Sequence, residues 1–412
     1  MTPVTSSDAS QRAKGRWAIL RNALMSQKRG GDHPSSYSIH KFAGFQMLHR
    51  NELSDAESKL LSESSNVDVI PATHVIAEYK LPIMSNILDF EPILKVRTTE
   101  RKIVKPDIKE LISHQVYGVD NTGNTRVWDS SNVLAYLIMS EKKLVRHSTE
   151  MAKKNNDEDD FYSNNEPFIG LEDILSLASC KTIAEPQGKL RVLELGAGMA
   201  GLPALSLLSL ESLRYKEKLE NIPKIEVCLS DGHPLCVENN EICAKLTHNL
   251  GHACCEKLLW KSDDKGLKEC ESLLTAVDDI YDTPEESKGR KFDLILVSDC
   301  THFTEFHKDL ATTIGRLLRI QGKCIMLQPH RGKSLMKFIR IVESINYGKN
   351  SCPEPLFKID LHDIFHEKIY DMHKKYVVQL ENIYEPNIHR PLLLTLTKLR
   401  DFEENLEGNC TS

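Results

Sequence analysis

From Arg191 to Lys398, short and almost unbroken apolar runs alternate with segments whose apolar residues recur every three or four positions. The runs RVLELG (191–196), IEVCLSD (225–231), CCEKLLW (254–260), FDLILVSD (292–299), GKCIMLQP (322–329), LFKIDL (356–361) and PLLLTLTK (391–398) predict strands. Helices are expected between them at 201–213, 234–249, 305–319 and 333–345, with Leu310, Ile314, Leu317 and Leu318 marking the period in the third. Strands that are apolar throughout are covered on both faces. The alternation therefore implies an α/β fold with a mainly parallel sheet, and a ligand site is expected at the carboxyl ends of its strands.

Before Arg191 the rhythm is looser. RWAILRNALMSQ (16–27) predicts a short amphipathic helix, 37–48 and 69–83 lean towards strand, and 52–65 reads as a polar helix between them. The turn residues Asn121-Thr122-Gly123 lead to a strand-like end at Trp128. Asp129 or Ser130 then caps a helix whose apolar face is Val133, Leu134, Leu137 and Ile138. Two polar stretches interrupt the order: 147–190, expected to be exposed, and 262–291, expected to carry one helix at 266–278. The chain thus divides into an α+β extension (1–118), an α/β domain with these insertions (119–400) and a tail (401–412).

Composition narrows the setting. The net charge of −6 over 412 residues argues against general nucleic-acid binding. One run departs from that mean: 12–29 holds Arg12, Lys14, Arg16, Arg21, Lys28 and Arg29 and no acid, a solvated face or a surface for an acidic partner. Eleven scattered cysteines favour reduced thiols in the cytoplasm or nucleus. No apolar stretch has signal-peptide or membrane-spanning character, so no membrane association is expected, and a monomer is. His248, His252, Cys254 and Cys255 offer soft ligands, but adjacent cysteines suit a tetrahedral metal site poorly, and none is expected.

The chemistry concentrates in VLELGAGMAG (192–201), where a strand runs into glycines in the G-x-G-x-x-G register. Glycine lets backbone approach a nucleotide, yet the register alone does not choose one. A pyrophosphate wants a bare helix N-terminus. Glu194, two residues before Gly196, would oppose it and suits a cationic ligand carrying an ammonium or a sulfonium, as S-adenosylmethionine does. Asp231, closing the second strand, can accept from ribose hydroxyls of any nucleotide, and Asp299 closes the fourth. A dinucleotide and a merely structural turn stand as the other readings of the glycines.

These features together resemble the seven-β-strand methyltransferases over roughly residues 127–398. RVWDSSNVLAYLI (126–138) and VSDC (297–300) resemble family 16 of the lysine methyltransferases. RWAILRNAL (16–24), SIHKFAGFQML (38–48), DNTGNTRVWDSSNVLAY (120–136) and ENIYEPNIHRPLLLTLTK (381–398) are similar to its calmodulin-directed members. The resemblance implies a class I, Rossmann-like sheet of order 3-2-1-4-5-7-6 with an antiparallel seventh strand. It also implies S-adenosylmethionine as donor, a lysine of calmodulin as acceptor of up to three methyl groups, and an N-terminal region that helps recognise that substrate. By motif match Glu194, Gly196 and Gly198 line the donor's methionine moiety, Asp231 takes the ribose, and Trp128 and Trp260 flank the adenosine. Asp299 faces the methyl-transfer site. At the place of the family's aromatic residue after strand four stands His302, with Phe303 one position later.

Methyl transfer to lysine needs a neutral amine, which a free lysine of pKa about 10.4 rarely offers near pH 7. Desolvation lowers that pKa, and a nearby carboxylate is expected to help deprotonate and orient the nitrogen. Asp299 is the candidate for that role, or for holding the donor's ammonium, with His302 assisting proton loss. Cys300 reads as packing filler. Rival readings are a lysine on another protein, a non-catalytic donor-binding adaptor and a dinucleotide oxidoreductase.

Overall fold

The computed structural model describes residues 42, 44–64, 74–82, 93–99, 127–142, 162–163, 165–179, 188–247, 253–281, 289–346, 354–381 and 383–402. The expected helix at 16–27, the basic run at 12–29, the turn at 121–123 and His248 and His252 lie outside them.

A seven-stranded sheet forms the body. Its strands are β4 (Lys189–Leu195), β5 (Lys224–Asp231), β6 (Cys254–Lys257), β7 (Phe292–Ser298), β8 (Leu318–Pro329), β9 (Phe357–His362) and β10 (Pro391–Lys398). They lie in the order β6-β5-β4-β7-β8-β10-β9, which is 3-2-1-4-5-7-6 counted within the sheet. β10 runs antiparallel to β8 and β9, and the other pairings are parallel. The topology is the expected one, including its reversed seventh strand. A smaller antiparallel sheet, β1 (Arg50–Glu52), β2 (His74–Lys80) and β3 (Ile93–Thr99), precedes it.

The helices, in chain order, are α1 (Asp55–Ser64), α2 (Asp129–Met139), α3 (Leu171–Ser176), α4 (Leu202–Glu217), α5 (Pro234–Thr247), α6 (Asp264–Tyr281), α7 (His307–Leu317), α8 (Ser334–Asn346), α9 (Glu367–Gln379) and α10 (Pro386–His389). The first apolar layer joins Leu134, Leu137, Leu205 and Leu208 to Val192, Leu294 and Ile325. The second joins Leu310, Ile314 and Leu317 to Leu193, Ile295 and Met326 on the opposite face of the same strands. Alternate residues of one strand thus serve both layers, which is why the runs are apolar throughout. The N-terminal sheet shares the first layer through Ala77, Tyr79, Leu94 and Val96.

The start of the central strands carries a buried ionic network. Arg191 reaches Glu226 at 3.0 Å and Asp278 at 2.6 Å, while Arg290 reaches Glu226 at 3.2 Å and Asp293 at 3.1 Å. Each charge is offset by at least one partner, as burial demands. The carboxyl ends of the strands are left for chemistry.

Several expectations are corrected. The described part of 37–48, Phe42 and 44–48, is irregular rather than strand. Gly44 at φ +87° and Gln46 at φ +45° break the pleat, and the Phe45 amide turns to the Asp129 carboxylate at 2.9 and 3.0 Å. Asp129 consequently does not cap α2: Trp128 holds that position in extended conformation without a side-chain cap bond. Within 147–190, residues 165–179 are not an exposed insertion, because Ile169, Leu171 and Ile174 join the main core. The second polar stretch carries a longer helix than expected, and α6 buries Leu273, Leu274 and Val277.

Candidate active site

β4 pairs in parallel with β5 on one side and β7 on the other, so the chain reverses its winding there and opens a crevice at the carboxyl ends. The bend after β4 enters it with Gly196 at φ +67° and Gly198 at φ +61°. A Cβ on Gly196 would lie 2.8 Å from Cys300 Sγ and 3.1 Å from Trp260 Cζ2, so Trp260 and Cys300 rest on the bend itself. The Gly198 amide donates to Asp231 Oδ2 at 2.9 Å, and the His233 amide to Oδ1 at 2.8 Å. The Gly232 amide also donates to Asp231, which therefore fixes the bend and still has capacity to accept a further donor.

Glu194 is fully buried. Its Oε2 accepts from the Ala204 amide in the first turn of α4 at 2.9 Å, and its Oε1 has no hydrogen-bond partner among the described residues. Burial pushes its carboxyl up to about 8, opposed by the Ala204 bond and reinforced by the charge of Asp231. Glu194 thus faces the helix start, with one oxygen left for a cation.

Two asparagines that the sequence reading passed over shape the same bend. Asn240 donates from Nδ2 to the Gly198 carbonyl at 3.0 Å and accepts the Gly201 amide at 3.1 Å. Asn239 donates to the Met199 carbonyl and, at 2.9 Å, to the Arg97 carbonyl. A helix pattern of polar residues gives no sign that these two point inward; only their place in the helix that follows the ribose-type acid could have drawn notice.

Asp299 follows β7 at φ +54° and lines a cavity of about 470 Å³ with Trp128, Phe42, Asp129, Arg331 and His389. Trp128 is thus brought to Asp299, whereas Glu194, Gly196, Gly198, Asp231 and Trp260 gather at the neighbouring glycine bend. Cys300 joins the two groups. Burial raises its thiol pKa most, followed by the charges of Asp299, Asp231 and Glu194. Asp299 and Asp231 beside this neutral thiol, with Glu194 ready to ionise when a cation arrives, suit a cationic ligand.

His302 is not brought to the cavity. Its Nδ1 donates to the Asp299 carbonyl at 3.0 Å, and its ring packs 3.8 Å from that of Phe303, which is also turned from the lining. The loop's tight start at Asp299 folds both rings back on it. The aromatic wall comes instead from Phe42 and Trp128, with Tyr376 and Tyr384 behind Phe42 at 5.4 and 5.0 Å. Arg331 was also missed: Nη2 donates to Asp299 Oδ2 at 2.6 Å, and the guanidinium lies 5.6 Å from the Trp128 ring.

Residues 278–345 match the lysine methyltransferase model of family 16. The chain is also 25% identical over 349 residues, 84% of each protein, to a calmodulin-lysine N-methyltransferase of Arabidopsis thaliana. Both findings are likenesses to lysine methyltransferases, the first confined to residues 278–345. Similar solved structures include a TehB-like SAM-dependent methyltransferase from Corynebacterium glutamicum (13% identity, 55% of this chain and 88% of that one, TM-score 0.25). Another is an O-methyltransferase from Bacillus cereus in complex with S-adenosylhomocysteine (11%, 55% and 90%, TM-score 0.31).

The residues present fit S-adenosylmethionine: a buried carboxylate oxygen without a partner among the described residues and a glycine bend held by Asp231 suit a ligand with an ammonium, a sulfonium and a ribose.

Proposed function

We propose that this methyltransferase methylates a lysine of calmodulin, up to the trimethylated form. The observation that carries the site is the buried Glu194 oxygen without a partner among the described residues, beside a glycine bend held by Asp231 and next to an open cavity walled by Phe42 and Trp128. The substrate reading is supported by the name of the Arabidopsis relative and by the basic run 12–29, which complements an acidic protein.

Bound S-adenosylmethionine supplies an electrophilic methyl group on a cationic sulfur. The chain's own residues do the rest. Glu194 Oε1 holds the ammonium, Asp231 the ribose hydroxyls, and Trp260 flanks the adenosine. Phe42 and Trp128 desolvate the incoming lysine stem and disfavour its charged form. Asp299 accepts a hydrogen bond from the amine and aims its lone pair, and that alignment supplies much of the acceleration. The extension, residues 1–118, recognises the substrate: its Phe42 and Gly44–Glu52 stretch already lines the cavity through Gln46, Leu48 and Arg50.

The test is incubation of the purified chain with labelled S-adenosylmethionine, using calmodulin in one arm and an extract lacking the enzyme in the other. Label on a calmodulin lysine is expected. Label on a different protein alone would transfer the activity to that acceptor. S-adenosylhomocysteine binding without any labelled protein would point to the adaptor reading.

A further inference from the structure

The cavity beside Asp299 holds a cation of the protein's own. Arg331 follows β8, its amide donates to the Asn387 carbonyl at 2.7 Å, and its guanidinium bridges the Asp299 carboxylate and the Trp128 ring. Both partners adopt left-handed backbone, φ +36° at Arg331 and φ +54° at Asp299. Residues other than glycine hold such conformations only where their surroundings over-determine them. The pair is a built feature of the wall.

Its chemistry bears on the amine. An unmatched carboxylate beside a lysine stabilises the ammonium and so opposes the neutral form that methyl transfer requires. Paired with a guanidinium, the carboxylate still accepts a hydrogen bond but offers little net field, and the guanidinium disfavours a second cation. The other groups facing the cavity do not supply this compensation. Arg50 is spent on Glu52 at 2.8 Å, and Asp129 is turned to the Phe45 amide. His49, His389 and Tyr79 complete the ionisable lining. Two arginines therefore face three carboxylates there, and without Arg331 a single arginine would.

We propose that Arg331 is a positioning residue that keeps the incoming lysine amine neutral, its proton released to solvent, by matching the charge of Asp299. This rests on the reading of Asp299 as the residue facing methyl transfer.

The experiment is the pH profile of kcat/KM for the full chain, with calmodulin, or the protein labelled in the extract, as acceptor. For Arg331→Met the rising limb is expected to move up by about one pH unit, a loss of roughly tenfold near neutrality that closes at high pH. Arg331→Lys should keep the wild-type limb. A loss of equal size at every pH in Arg331→Met would overturn the inference, since a merely bracing arginine predicts that. If melting shows that Arg331→Met does not fold, Asp299→Asn decides. With the guanidinium left unmatched, the limb of the residual activity should move to lower pH, and an unmoved limb overturns the inference. Asp299→Asn with wild-type rates throughout would instead remove Asp299 from the site, and the role of Arg331 with it.

Discussion

Arg97 Nε, in the N-terminal sheet, donates to Asn239 Oδ1 at 2.5 Å, and Asn239 in turn donates to the carbonyl of Met199 in the glycine bend. One buried amide therefore links the extension to the donor loop. Its orientation is set by Arg97, because a guanidinium N–H demands the oxygen and leaves the nitrogen for Met199.

Replacing Asn239 by Leu removes that bond and leaves the Met199 carbonyl and the Arg97 guanidinium short of partners. We expect S-adenosylhomocysteine to bind about tenfold more weakly, as a loss of one or two buried hydrogen bonds implies. Calorimetric titration checks it; unchanged affinity in a folded variant would separate the extension from the donor loop.

Glu194 makes donor binding pH-dependent. Its carboxyl titrates at about 8 in the free chain, raised from an ordinary 4.5 mainly by burial. A bound cation favours the carboxylate and lowers that value, so binding releases a proton. Affinity should therefore climb with pH towards about 8 and then level off. In the ligand-free chain the sign is the reverse for stability: the contribution is full below about 4.5 and is lost as pH rises through about 8. Glu194→Gln should flatten the affinity profile, and titrations in buffers of different ionisation enthalpy read the proton directly.

The basic run 12–29 should act on encounter rather than on chemistry. Neutralising Arg12, Lys14, Arg16 and Arg21 is expected to raise KM more than it lowers kcat, with the difference shrinking as salt is added. Equal effects at low and high ionic strength would contradict electrostatic steering.

Gly44 is where the cavity wall meets the body. At φ +87° its added Cβ would also collide with the Asp129 carboxylate that receives the Phe45 amide. Gly44→Ala should cost about 1–3 kcal/mol, from backbone strain and the displaced carboxylate together. Chemical denaturation measures this, and a variant as stable as wild type would show that the 44–48 segment is not held through Asp129.

The sheet was legible because β4, β5, β7, β8 and β10 bury both faces. A run such as 294–297, closed by Asp293 before it and Ser298 after it, is too short for a buried helix and so reads as strand. Glu194, Asp231 and Asp299 were legible as acids at strand ends. β3 was not: ILKVRTT alternates apolar and polar residues but buries Arg97 and Thr98, and the Arg97 amide is held by Cys243 of α5, far away in sequence. α9 buries only Ile369, so its pattern resembles a solvated segment. His302 and Phe303 illustrate the other limit. Their spacing suggests a wall of the site, but the left-handed turn at Asp299 directs them elsewhere, and a backbone angle of that kind is not written in a residue type other than glycine.

The aromatic cluster behind the cavity also has a bearing on how the molecule is made. Phe42 packs on Tyr384, and β10 is the strand inserted between β8 and β9, so the first wall of the pocket waits for residues that are synthesised long after it. A nascent chain stalled before Tyr384 would already possess Glu194, Asp231 and the bend between them, yet no finished chamber for a lysine. Chains interrupted before Tyr384 should therefore be inert towards protein substrates.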